Sequence, residues 1–568
     1  MTNKEIIRTL NQAVKLMELH ETNVFKIRTF TNAIFKLEHG APPLGGLSRN
    51  DLENLEGIGK GLADAIDTIN QTGSFRLLDD LISKTPEGIL ELMELRGLGI
   101  KKLKTLWKEH HIGSLTDLEQ ALDQGSLINV KGFGKKTLEN FKELIDFQKE
   151  CWGKIYYAAA EKEGQAIIDV IKNHNMATNL SFCGKLRRKW SVIAEIEIIC
   201  DAPSFASIDT ILNNYDGLTP EPSRSGPTVW RGRLPRLNHV SLTVHLTSSL
   251  AFASQLLLKT GSRKHLRLGC DTSLHELATN MQVKDEKSIY QKAGLSFCEP
   301  EIREGIWESD QAINNQLPVL LETSDLRGVI HTHTTYSDGQ HTLREMADAC
   351  ISRGYQYLGI SDHSKAAFFY ANGLTEDRVV KQHEEIDALN NELSPFMLFK
   401  GIEADILSNG DLDYDKNTLA TFDFVVASIH SGLAMDLVKA TDRLLRAIYN
   451  PFTTFLGHMT GRLLLLRKGY PVDHETIIKA CATTGVIIEI NSHPKRLDID
   501  WRWIHRALDE GVVLSVNPDA HVTEGLDDMY YGVCAGRKGG LTKEHTFNAW
   551  PLEKVKTYFE ERKSKWKN

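Results

Sequence analysis

The sequence predicts a multidomain α/β protein, and three observations carry the prediction. From position 328 onward, short β-branched runs alternate with helical patterns, and each run stops at a residue able to ligate a metal. Upstream, VIAEIEII (192–199) alternates apolar and polar residues, as a strand with one buried face requires. The first 150 residues show helical periodicity broken three times by a Gly-apolar-Gly turn. At 568 residues the chain has length for about three to four domains.

The N-terminal repeat is LEGIGKGLADAI (55–66), LRGLGIKKLKTLW (95–107) and VKGFGKKTLENF (130–141). Each glycine pair (Gly57 and Gly59, Gly97 and Gly99, Gly132 and Gly134) permits a tight turn that aims backbone amides outward at a helix start, where phosphate is welcome. Lys60, Lys101, Lys102, Lys135 and Lys136 add positive charge beside those amides. One such turn is commonplace, but three with matching flanks form an internal repeat. The pattern is that of helix-hairpin-helix motifs, which grip the DNA backbone without reading sequence.

In the C-terminal part the run-terminating residues are His331, His333, Asp338, His363, Glu403, His430, His458, Asp519 and His521. Parallel strands of an α/β barrel bring their C-terminal ends to one mouth, so residues distant in sequence meet there. Imidazoles and carboxylates in that number hold more than one transition metal ion, which points to hydrolysis at phosphorus. His341, His383, His474, His493 and His505 fall in loops or helical patterns and read as structural.

The segments HTHTTYSDG (331–339), GISDHS (359–364), GIEADI (401–406), SIHSG (428–432), GHMTGRLL (457–464) and NPDAH (517–521) resemble the polymerase-and-histidinol-phosphatase (PHP) domain, in family order and with all nine ligand positions filled. The resemblance implies a distorted (β/α)7 PHP barrel holding two or three divalent ions (manganese, zinc or iron) that lower the pKa of a bound water toward neutrality. Arg462, just after His458, is a candidate phosphate contact with a structural salt bridge as its competing role. Asp362 and Asp405 adjoin ligand positions and can orient them, and Arg496 and Asn491 lie on the loop after the strand VIIEI, near the mouth.

The order of all the pieces resembles the bacterial X-family DNA polymerases that carry a C-terminal PHP domain. On that resemblance, residues 1–80 form a small helical DNA-binding domain with one hairpin, and 81–150 a fingers-like domain with two more. Residues 151–250 form an X-family polymerase-like α+β palm, 251–318 a thumb, and 325–568 the PHP metallophosphoesterase domain. GKLRRKWSVIAEIEIIC (184–200) aligns with the family's palm motif GSxRR…DxD. It keeps Gly184, Arg187 and Arg188, and the arginines are able to meet phosphates. Glu195 and Glu197 replace the first two aspartates, and Thr243 or, with a shorter loop, His245 replaces the third. Glutamate is one methylene longer, and a misplacement of about 1 Å can cost about 100-fold in rate. A degenerate palm with polymerase activity weak or lost, and no magnesium, is therefore expected. The lyase lysine of related enzymes falls on Ala65, which argues against that activity.

The implied enzyme is a DNA-repair phosphoesterase: a 3′–5′ exonuclease, with abasic-site incision or 3′-phosphate removal as further activities, on gapped, nicked or 3′-end DNA. Two alternatives stay open, an active gap-filling polymerase and a small-molecule phosphatase of the histidinol-phosphatase type. A formal net charge of −8 leaves DNA contact to local patches. Cysteines 151, 183, 200, 270, 298, 350, 481 and 534 have no paired spacing, as suits reduced thiols in a cytoplasm. No run reaches membrane-spanning length, and a cytoplasmic monomer without membrane contact is expected.

Overall fold

The computed structural model describes residues 3–38, 44–55, 57–93, 95, 98–175, 177–202 and 204–566. They divide into two compact units, Met1–Trp152 and Gly153–Asn568. No helix among the described residues is long and apolar enough to cross a membrane.

The first unit is helical. Helices Asn3–Leu19, Val24–Glu38, Lys60–Thr72 and Lys135–Cys151 surround a core that includes Ile6, Leu10, Leu16, Ile66, Leu103 and Leu118. Its polar side chains act at helix starts. Ser48 and Asp51 form a reciprocal cap, and Ser114 accepts from the Asp117 amide.

The second unit begins with a five-stranded sheet. Strands β1 (Ile155–Tyr156) and β3 (Val192–Ile193) form a small antiparallel pair beside it. The main sheet comprises β2 (Leu180–Phe182), β4 (Glu195–Cys200), β5 (Thr219–Pro220), β6 (Val229–Leu234) and β7 (Val240–Leu246), in the order β2-β4-β7-β6-β5. The central pair β4–β7 is parallel and the other pairings are antiparallel. Ile196 and Ile198 are fully buried under helix Tyr157–Asn173, which leaves Glu195 and Glu197 together on the opposite face. Helices Phe252–Thr260, Leu274–Asn280 and Glu286–Lys292 follow around Leu257, Ile289 and Tyr290.

Seven parallel strands complete the chain: β8 (Gly328–Thr332), β9 (Tyr357–Ile360), β10 (Met397–Asp405), β11 (Phe424–Ser428), β12 (Phe455–Leu456), β13 (Ile487–Asn491) and β14 (Leu514–Asn517). They pair in chain order. A parallel bridge from Thr332 to Ala520 brings the two edge strands together, and the sheet forms a nearly closed barrel. The strand-start residues Tyr357, Phe424, Phe455 and Ile487 pack with Phe399, Phe547 and Phe559, filling the bottom beneath helix Leu552–Trp566. Glycine is required at 401 because a Cβ there would lie 2.1 Å from the Phe424 ring. With its bottom filled by apolar side chains, the barrel keeps its polar groups at the opposite end.

The barrel and the five-stranded sheet share a buried contact. Lys538 is 1% exposed, and its ammonium donates to Glu304 (2.5 Å) and to the carbonyls of Arg188 and Glu301. Arg537 pairs with Glu301 at 2.9 Å, and Lys189 reaches the Tyr530 hydroxyl at 3.0 Å. The connection between them is packed, with Glu308 and Leu321 fully buried and the Leu321 amide bonded to the Leu541 carbonyl.

Candidate metal centre in the barrel mouth

The nine barrel residues singled out above meet at one end of the strands. His331 and His333 sit at the end of β8, where its pairing with β9 shifts register and His331 adopts φ +65°. Asp519, just beyond β14, also has positive φ, at +54°. Non-glycine residues rarely hold that conformation unless the surroundings enforce it, and here both lie in the cluster.

Glu403, 1% exposed on β10, is the hub. Its Oε1 lies 3.0 Å from His458 Nε2, 3.2 Å from His430 Nε2 and 3.3 Å from His331 Nε2. Its Oε2 lies 2.9 Å from His363 Nδ1 and 3.7 Å from His333 Nε2. Asp519 Oδ1 is 3.0 Å from His333, and Asp338 Oδ1 is 3.2 Å from His521 and 3.6 Å from His363. Three overlapping groups able to hold a cation result: His331, His333 and Asp519; His363, Glu403 and His430; and His333, Asp338, His363 and His521.

The donors fit metal ions for a reason visible in the hydrogen bonding. His331 Nε2, His333 Nδ1, His363 Nδ1, His458 Nδ1 and Glu403 Oε2 are buried without a hydrogen-bond partner. Buried polar atoms left unsatisfied are costly, and convergent lone pairs are relieved by cations. Burial disfavours charge on Glu403, yet His430 and His331 hold its carboxyl well below the usual range. Burial also opposes charge on His430, but Glu403 and Asp405 push it up to about 10.

A second layer fixes these donors. Glu489, fully buried on β13, takes His331 Nδ1 at 2.5 Å and also accepts from the His458 amide and Asn517. His430 Nδ1 is bonded to Asp405, which Tyr370 also reaches at 3.0 Å. With Nδ1 occupied, both rings present Nε2 to the centre. Asp362 accepts from Thr334, Ser337 and Gln382, so it orients the turn that carries Asp338 rather than its neighbour His363. Sequence reasoning missed Glu489, although a lone carboxylate inside the run VIIEI (486–490) was the signal. Asn491 reaches Asp519 at 3.1 Å, and Arg496 lies 3.5 Å from it.

Arg462 takes the salt-bridge role of its two expected ones. Its guanidinium pairs with Asp500 at 2.5 Å and donates to the Arg496 and Leu497 carbonyls, a structural commitment in place of a phosphate contact. His383, His474 and His505 pack on Phe422, Trp503 and Trp307 respectively, as structural residues do.

In the palm, Arg187 and Arg188 are both engaged by carboxylates. Arg187 pairs with Glu286 through two bonds of 2.9 and 2.6 Å, and Arg188 pairs with Glu304 at 2.8 Å. Both charges are neutralised internally and neither is free for phosphate. The β4–β7 register sets Glu197 opposite Thr243 and Ile199 opposite His245, so Thr243 and His245 share the face of the glutamates. The Thr243 hydroxyl donates to Glu195 at 2.5 Å, and Glu197 lies 3.7 Å from His245 and leans over Gly184.

In the helical unit, Gly57 and Gly132 take φ of +89° and +92°, while Gly59, Gly99 and Gly134 occupy N-cap positions without side-chain caps. Lys60, Lys101, Lys135 and Lys136 are exposed at those helix starts, and Lys102 lies over the Phe141 ring at 5.6 Å. Gly97 lies outside the described residues.

A nearly closed parallel barrel with a buried cluster of histidines and carboxylates at its mouth defines a PHP-type phosphoesterase domain, and the PHP domain model matches residues 330–493. A helix-hairpin-helix domain model matches residues 1–75. The chain is 33% identical over 573 residues to the DNA polymerase/3′-5′ exonuclease PolX of Bacillus subtilis, covering 98% of this chain and 99% of that protein. It belongs to the bacterial PolX family. The barrel alone is 27% identical over 250 residues to a probable phosphatase of Thermoanaerobacter sp., covering 41% of this chain and 95% of that protein. A probable phosphatase of Clostridium acetobutylicum is 30% identical over 176 residues, 29% of this chain and 63% of that protein.

Proposed function

We propose that the barrel hydrolyses DNA phosphodiesters from 3′ ends, using two or three divalent ions (manganese, zinc or iron) held by His331, His333, Asp338, His363, Glu403, His430, His458, Asp519 and His521. The observation that carries this reading is the convergence of five imidazoles on Glu403, with His331 Nε2, His363 Nδ1 and Glu403 Oε2 buried there without a hydrogen-bond partner. Divalent ions there supply Lewis acidity to a phosphoryl oxygen and lower the pKa of water toward neutrality.

The chain's own groups do the rest. Glu489 and Asp405 set the tautomers of His331 and His430, so the donors need no reorganisation when substrate arrives. His331, Glu403 and His458 form a buried floor, whereas Asp338 and His521, each about one-third exposed, form the open lip over which a phosphodiester enters. Arg496, in place of Arg462, is the cation beside the cluster. Phe368, Phe369 and Tyr370 stand exposed on the segment that sends Tyr370 to Asp405, and they offer stacking surface to unpaired bases. The hairpins with Gly57, Gly59, Lys60, Gly97, Gly99, Lys101, Lys102, Gly132, Gly134, Lys135 and Lys136 bind the DNA backbone. Abasic-site incision, at an internal phosphodiester, and removal of a 3′-terminal phosphomonoester are further hydrolyses at phosphorus open to the same centre.

In the same reading, polymerase activity is weak or lost. Glu195 is occupied by Thr243, and no third carboxylate shares the face of Glu195 and Glu197 on β7. An active gap-filling polymerase is the second reading, favoured by similarity over the full length to a protein named DNA polymerase/3′-5′ exonuclease. The small-molecule reading draws on the phosphatase relatives of the barrel, but three DNA-backbone hairpins have no use in a metabolite enzyme. One assay separates these readings: a 5′-labelled gapped DNA with manganese, with and without nucleotides, beside His331→Ala/His333→Ala. Stepwise shortening that the variant loses, without extension, supports the proposal; extension without shortening overturns it.

A further inference from the structure

We infer that the palm carries a second metal site of a different chemical kind, in which Cys183, Glu197 and His245 bind one divalent transition ion, zinc by preference. The three donor atoms lie within 4.8 Å of one another. They come from three adjacent places in the sheet: the residue after β2, the middle of β4 and the end of β7. The backbone holds them there, since the Cys183 amide donates to the Glu197 carbonyl at 2.9 Å and β4 and β7 run parallel through both other residues.

Each donor lacks a better partner nearby. His245 Nε2 is buried without a hydrogen-bond partner and faces Glu197 Oε1 at 3.7 Å. Cys183 is a free thiol, fully buried. Arg187, which could otherwise neutralise Glu197, is paired with Glu286. Gly184 makes room for the arrangement, because a Cβ there would fall 1.6 Å from Glu197 Oε2. Tetrahedral zinc with bonds of about 2.0–2.3 Å sets its donors about 3.3–3.8 Å apart, and the imidazole–carboxylate separation already meets that spacing.

Donor chemistry sets the selectivity. A thiolate, an imidazole and one carboxylate suit zinc or cobalt, whereas magnesium demands oxygen ligands in octahedral geometry. Binding converts the Cys183 thiol to thiolate and releases one proton to solvent. Three protein ligands leave a fourth position open. With Glu197 so engaged, only Glu195 remains on β4 as a carboxylate for other ions. The inference is independent of the nuclease reading of the barrel.

The test exploits sulfur, because none of the nine barrel donors is a cysteine. Full-length protein under reducing conditions is titrated with cobalt(II), and the near-ultraviolet sulfur-to-cobalt charge-transfer band is followed. A band whose final intensity corresponds to one thiolate-bound cobalt per chain, which disappears in Cys183→Ser, survives in His331→Ala/His333→Ala, and is displaced by zinc but not by excess magnesium, is the expected result. His245→Gln, which keeps the thiol, is expected to weaken cobalt binding at least about tenfold, with circular dichroism reporting the fold of each variant. Absence of the band in the wild-type protein, its persistence in Cys183→Ser, or unchanged affinity in His245→Gln would overturn the assignment.

Discussion

The barrel mouth and the palm sheet both gather donor side chains on adjacent parallel strands, yet they differ in how many of those donors are left unsatisfied. In the barrel, seven strands curve around one point, and Glu403 meets five imidazoles while several buried donor atoms keep no hydrogen-bond partner. In the palm, one parallel pair lines up five polar residues, Glu195 is held by Thr243, both nearby arginines are bound to internal carboxylates, and His245 Nε2 alone of these is buried without a hydrogen-bond partner. A scaffold decides which positions meet; the residues on those positions decide whether the meeting place is reactive or satisfied. Preorganised, unsatisfied donors mark chemistry, and satisfied ones mark structure.

The comparison breaks most readily at the barrel. His331→Ala/His333→Ala removes two of the donors, and metal-dependent DNA hydrolysis should fall at least about 1000-fold in a gel assay. Retained cleavage would move the active site elsewhere. Next in size is a gain: Glu195→Asp/Glu197→Asp/Thr243→Asp rebuilds three carboxylates at the shorter reach. Nucleotide addition on gapped DNA with magnesium should rise about 100-fold if chain length and donor type are what separate the two regions. Equal extension before and after would mean that the palm is already competent.

Smaller effects sharpen the contrast. Glu489→Gln leaves every direct donor in place but loosens His331, and calorimetric metal affinity should drop about 10- to 100-fold. Phe369→Ala, at 92% exposure, should weaken binding of single-stranded 3′ ends by about 1 kcal/mol and leave duplex binding unchanged. The least effect on the chemistry is expected from Arg462→Ala. Asp500 keeps Arg502 as a partner, so breaking its pair with Arg462 should cost about 1 kcal/mol in denaturant unfolding, while the hydrolytic rate of the folded protein stays the same.

Much of this contrast was legible in the residues. The barrel's strand order and mouth follow from apolar runs that stop at histidine or carboxylate, because a parallel barrel aligns strand ends whatever the loops do. Glu403 could be named as a donor, but its role as hub could not, since that depends on how far β10 extends beyond its neighbours. The partners of Arg187, Arg188 and Arg462 were not legible for a related reason. Glu286, Glu304 and Asp500 lie 99, 116 and 38 residues away from them, and only packing reveals that each arginine is already engaged. Period and motif report which face a residue takes, whereas long-range pairing of charges leaves no local trace.

The buried ammonium of Lys538 has a consequence for anyone who would dissect the chain. Its counter-charge, Glu304, and two of its carbonyl contacts come from residues that precede the barrel. A fragment beginning at Asp325 would carry that ammonium into an apolar seam between Trp501 and nothing, with Arg537 also stripped of Glu301. The barrel of this chain is thus built onto what precedes it: Glu301 and Glu304 of the 251–318 segment and the Arg188 carbonyl of the palm form part of its own foundation.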